Sequence, residues 1–179
     1  NWGGTNCSNS LHLGIRSNHL CFNPGCPNEF TYIASNINDF NWHHIAMVFD
    51  GSGLQLLIDS VPSTIFISPG VNINGTILTL GTRIDGNHLF NDNYIGSIDE
   101  VRVWDIARTQ TQIGANMNHE ITPEQGLIAY YSFDQGEPSG TNIGIKSAKA
   151  TVGPPMDLKW IAMLGSASNF VNGRPGLTY

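Results

Sequence analysis

Apolar residues fall in short runs cut by Asn, Asp, Gly and Ser, the pattern of many short strands rather than of long helices. Residues 10–15 and 19–22 read as two strands joined through Ser17 and Asn18, and residues 30–34 as a third. Residues 42–49 are apolar on both faces, as in a central strand. Asp50, Gly51, Ser52 and Gly53 then turn the chain into residues 54–59, which makes a hairpin. Strands at 64–67, 77–81 and 94–104 follow, separated by loops that contain Asn74-Gly75 and Asp85-Gly86. A short helix is predicted at 110–117, where Thr109 and Gln112 form a T-x-x-Q capping box. Residues 127–133 alternate as a further strand, 136–157 read as a long surface loop, and 160–164 form a last apolar segment. This spacing predicts an all-β fold, an antiparallel two-sheet β-sandwich or jelly roll with one short helix.

Composition narrows the partners. The chain has 179 residues, enough for one sizeable core, and only 12% of them are charged, against about 25% in an average soluble protein. A net charge of -6 with eight Lys and Arg excludes nucleic acid and anionic membranes as expected partners. No run approaches the roughly 20 apolar residues that span a bilayer, so no membrane insertion is expected. With no initiator Met and no basic-then-apolar leader, the chain is expected to be a processed product or a piece of a longer polypeptide. Cys21 and Cys26 flank a Pro24-Gly25 turn that could bring them within disulfide reach, the alternative being buried free thiols. Cys7 is then left over.

Within 94–104, counting in twos from Val103 and Val101 brings Asp99 to the core side, unless a bulge intervenes. Glu100, Arg102 and Trp104 take the other side. A core-facing carboxylate must be hydrogen-bonded, paired or bound to a cation. Asp99 is therefore read as a structural anchor accepting backbone N–H groups, and Glu100 with Arg102 as an exposed pair of little energetic weight.

The segments Trp42-His43-His44-Ile45-Ala46, Leu56-Leu57-Ile58-Asp59, Leu78-Thr79-Leu80-Gly81 and Ile95-Gly96-Ser97-Ile98-Asp99-Glu100-Val101-Arg102-Val103-Trp104, followed by Ala107-Arg108-Thr109, resemble the laminin-G-like jelly roll of the concanavalin A-like lectin and glucanase superfamily. The resemblance covers about residues 10–113 and implies a domain at 1–135, with 136–179 packing on it or joining it to a next domain. Family members begin with strands that do not precede Asn1, so the domain is expected to be incomplete at its N-terminus. The gap would be filled by residues 127–133, by another chain, or by a cleavage partner.

Chemistry was sought in each pattern. Glucanases of this superfamily carry E-x-D-x-x-E. Aligning its Asp on Asp99 places Ser97 and Arg102 at the two Glu positions, so glycoside hydrolysis is not expected. The adjacent His43 and His44 would project to opposite faces of a strand and cannot share a metal. Calcium is the candidate ion, with Asp85, Asn91 and Asp92 as hard oxygen ligands in the 83–93 loop, although the same residue types also build ordinary turns. Phe90 and Tyr94 flank that loop and, with Trp2, could serve as a sugar platform, against simple rim packing. The expected function is a non-catalytic extracellular or cell-surface module that recognises a glycan or an extracellular protein. The alternative is a structural subunit of a fibre or surface assembly, with homo-oligomer contacts or strands supplied by a neighbouring chain.

Overall fold

A computed structural model describes residues 12–23, 31–66, 79–81, 83–84, 90–91, 94–140, 142, 145, 147–148, 150–152 and 158–159. The chain divides into two compact units, Asn1–Gly96 and Ser97–Tyr179. Every strand pairing among the described residues is antiparallel.

In the first unit, β1 (His12–Arg16), β2 (His19–Asn23) and β3 (Thr31–Ser35) form one meander, and β4 (Ile45–Phe49), β5 (Leu54–Ile58) and β6 (Val61–Phe66) form another. A short ladder joins β7 (Arg83–Ile84) to β8 (Phe90–Asn91). Two of the hairpins use two-residue turns with both central residues at positive φ, Ser17 (50°) with Asn18 (64°) and Asp59 (51°) with Ser60 (63°). Turns of that type match the twist of paired strands. The β4–β5 turn is built differently. Asp50 Oδ1 accepts from the Ser52 amide at 2.8 Å, the Ser52 hydroxyl at 2.7 Å and the Gly53 amide at 3.0 Å, while Gly51 sits at φ +91°.

The core of this unit lies on the middle strands. Leu20, Cys21 and Phe22 of β2 are buried, as are Leu54, Leu56 and Leu57 of β5, and Phe22 packs with Leu54 and Leu56. This corrects the sequence reading of β4 as a central strand. Among the described residues β4 ends its sheet, and Met47 and Phe49 point outward. The register of β5 with β6 shifts between Leu56 and Leu57, and both leucines are buried. Ser63 takes up the extra residue and donates its hydroxyl to the Leu56 carbonyl at 3.0 Å. Pro62, with no N–H to give, is tolerated on this outer strand beside the irregularity.

In the second unit, β9 (Val101–Trp104) pairs with β10 (Leu127–Tyr131), and β11 (Ser147–Ala148) pairs with β12 (Leu158–Lys159). Ala129, Tyr131 and Ala148 form its core, with Val101, Val103, Phe133 and Ala150 against them. The predicted helix is present as α1 (Gln110–Asn116). Thr109 Oγ1 accepts from the Gln112 amide at 3.2 Å, and Gln112 Oε1 accepts from the Thr109 amide at 2.9 Å. The predicted strand at 94–104 is shorter than expected, because Glu100 adopts φ +55° and regular pairing starts only at Val101. Residues 79–81 carry no strand, and the rest of the predicted 77–81 strand and the 160–164 segment lie outside the described residues. The expected 136–157 loop contains β11 and also returns to β10, with the Thr151 amide donating to the Tyr130 carbonyl at 2.7 Å. No helix among the described residues is long and apolar enough to cross a membrane.

Candidate functional site

The residues expected to bind calcium or sugar fall unevenly. Asp85 and Asp92 lie outside the described residues, and of Phe90 and Asn91 the backbone is described, in β8. Tyr94 is exposed, and its amide donates to the Gly81 carbonyl at 2.7 Å. Its ring lies against Gly96, where a Cβ would stand 2.5 Å from the phenol oxygen. A glycine is required there for the ring to take this position. Cys21 carries a free thiol and not half of the expected bridge. It sits on the buried middle strand, its S–H donates to the Gly14 carbonyl at 3.3 Å, and burial pushes its pKa up. Cys26 and Cys7 lie outside the described residues.

Asp99 is half-buried and accepts the Glu100 amide at 3.1 Å. Its neighbour Glu100 is held by side chains from further along the chain. The Tyr130 hydroxyl lies 2.8 Å from both oxygens of Glu100, and Arg102 Nη2 reaches Oε2 at 2.5 Å. The same guanidinium donates to the Asn116 carbonyl at 2.8 Å and to the His119 carbonyl, so the chain after α1 covers this face. The side chains of Arg102 and Glu100 are 9% and 12% exposed, which overturns the expectation of an open surface pair. Periodicity alone could not reveal this, because α1 and the residues after it cover the face from outside the strand. Burial and the Glu100 hydrogen bond push the Tyr130 hydroxyl far above its ordinary pKa.

Glu120 and Asp134 bring their carboxylates within 4.8 Å of Glu100 and of each other. Burial and the neighbouring charges of Asp134, Glu100 and Asp99 raise the pKa of Glu120. Three carboxylates are a donor set that suits a hard cation. A cation there would have to compete with the Arg102 guanidinium for Glu100, so the group is first an ion-pair network.

A different arrangement occupies the loop before β4. His43 Nδ1 bonds Asp59 Oδ2 at 2.8 Å and its Nε2 bonds Asp39 Oδ1 at 3.1 Å, while the His44 amide donates to Asp59 Oδ1 at 2.8 Å. Both histidines are half-buried. Both ring nitrogens of His43 meet carboxylates, whereas the bond of His44 is made by its backbone amide. Asp39 also accepts the side-chain and backbone N–H of Asn41 at 2.9 Å each. These bonds, with His43, hold its pKa down at about 2. Between Asp39 and Asn41, Phe40 is 99% exposed at φ +66°. The sequence signal was an aromatic residue between Asp39 and Asn41, two positions before Trp42. At the other end of β4, a cleft of about 300 Å³ is lined by Val48, Asp50, Ser52, Gly53 and Gln55, but the Oδ1 atom of Asp50 is consumed by the turn.

Comparison with known proteins bears on the fold. A solved structure from Bacteroides ovatus ATCC 8483, provisionally described as a carbohydrate binding protein, matches with a TM-score of 0.50 and 18% identity, over 81% of this chain and 43% of that one. The chain thus spans less than half of that protein, and at this identity the likeness speaks to fold alone. No curated protein matches the chain. Residues 4–114 match a laminin-G-type family model, and with its antiparallel strands and short helix the chain belongs to the concanavalin A-like lectin/glucanases superfamily, whose β-sandwich is its fold.

Proposed function

We propose that the chain is a non-catalytic carbohydrate-binding module acting outside the cell or at its surface. The observation that carries this reading is Tyr94, an exposed aromatic ring set against Gly96 immediately after the Asn- and Asp-rich loop. A ring in this position offers an apolar face to a pyranose, and amide and carboxylate groups can meet the hydroxyls. The Bacteroides structure's description supports the ligand class. Calcium bound by Asp85, Asn91 and Asp92 would order the loop beside Phe90 and Tyr94, with oxygen donors of the type this ion selects.

Absence of hydrolysis is supported by the surroundings of Glu100, the carboxylate just before β9. The Tyr130 hydroxyl lies 2.8 Å from both oxygens of Glu100 and Arg102 holds one of them, so this carboxylate, 12% exposed, is taken up within the fold. A glycan array probed with and without calcium tests the binding reading. Hits that weaken with EDTA, and with Tyr94→Ala, are expected. No hit in either condition would sink it, and release of reducing sugar that Glu120→Gln abolishes would sink the non-catalytic part.

A further inference from the structure

We propose that Phe40 is the stacking platform of a separate saccharide contact, formed by the loop at residues 36–43, for an uncharged pyranose. This rests on the carbohydrate reading and adds to it a site remote in sequence from Tyr94.

Two unfavourable features coincide at Phe40. Its ring is 99% exposed, and its backbone is left-handed at φ +66°, a region that bulky residues seldom occupy. Either could be removed by one substitution. Both together, on a loop that is otherwise well bonded, mark a residue held out for contact.

The loop is a rigid frame. On one side it is tied to the β1–β2 turn, where the Asn36 amide donates to the Asn18 carbonyl at 2.9 Å and the Asn38 amide to Asn18 Oδ1 at 2.9 Å. Beyond Phe40, Asp39 gathers the Asn41 amide and side chain, and His43 links Asp39 to the Asp59 turn. The backbone that carries the ring is thus held by its neighbours, so the loop has little ordering left to do on binding.

The surroundings specify the ligand. Asn36, Asn38, Asp39 and Asn41 are all exposed, so amides and one carboxylate flank this apolar ring along the loop. That is too little apolar surface for protein docking, and it is the mixture that a sugar presents in complement, an apolar C–H face edged by hydroxyls. Asp39, Asp59 and the net charge of -6 disfavour uronates and sulfated sugars.

The test uses an array of neutral oligosaccharides and of uronate- or sulfate-bearing ones, followed by calorimetry with the strongest neutral hit. Phe40→Gly should weaken binding about tenfold or more, roughly 1.4 kcal/mol. It should leave the melting temperature unchanged or raised, because glycine accepts positive φ. Phe40→Trp should retain binding. Equal affinity of wild type and Phe40→Gly would overturn the inference and leave the carbohydrate reading intact. So would binding confined to acidic sugars, or a loss of affinity that a falling melting temperature accounts for. Wild type that binds no saccharide would overturn both.

Discussion

Arg102 and His43 each join acidic and backbone groups from separate parts of the chain, yet water reaches them very differently. Arg102 and its partner Glu100 are 9% and 12% exposed at the side chain, whereas His43 is 21% exposed and its partners Asp39 and Asp59 are 39% and 41% exposed. The buried network uses a guanidinium, which keeps its charge at every accessible pH, and ties β9 to β10 and to the chain after α1. The outer network uses an imidazole, which gains and loses its proton near neutrality, and ties one loop to one turn. Burial therefore separates a clamp of the fold from a frame for a surface loop.

The largest effect should come from breaking the buried clamp on one side. Arg102→Met leaves the Glu100 carboxylate buried without its cation and should destabilise the protein by about 3–5 kcal/mol in urea unfolding followed by tryptophan fluorescence. Adding Glu100→Gln should recover part of that loss, since the stranded charge is then gone. A loss below about 1 kcal/mol for the single variant would place this pair with ordinary surface pairs and erase the contrast. Next in size is Tyr130→Phe. It deletes the hydroxyl that meets Glu100 but keeps the ring under the guanidinium, which lies 5.5 Å from the ring centroid. The expected loss is about 1.5–3 kcal/mol, the value of a hydrogen bond to a charged group, and it should change little when salt is added.

Much of the fold was legible because its signals are local. The Asp50–Gly53 turn announced the β4–β5 hairpin, and Thr109 with Gln112 placed the start of α1. What escaped depended on single backbone angles or on cover supplied from afar. Glu100 at φ +55° ends the alternation on which the reading of Asp99 relied, and no periodicity shows that residues after α1 will close over Arg102. Likewise β4 and β5 are both apolar enough to be central, and only the strand order among the described residues, which pairs β5 on both sides, separates them. The site was less legible than the fold. An exposed ring such as Phe40 differs from a buried one only in where its loop is tied, and those ties run through Asn18 and Asp59, distant in sequence.

The smallest effect, and the one that separates the two networks most sharply, is the titration of His43. Its bond to Asp59, then that to Asp39, raises its pKa, while partial burial works the other way. A group whose pKa is raised on folding adds stability that is fully present below its unfolded value of about 6.5 and is lost as pH climbs through the folded value. Asp39, held down at about 2, behaves oppositely, so its contribution persists until strong acid. His43→Gln should therefore reduce stability more at about pH 5.5 than at about pH 8, by roughly 0.2–1 kcal/mol for the bond to Asp59, and the difference should shrink as salt is added. Comparing wild type and variant by thermal unfolding at both pH values checks this. An equal loss at both would mean that His43 works as a neutral hydrogen-bonding bridge. The two networks would then differ in burial alone, and the loop that presents Phe40 would be indifferent to pH.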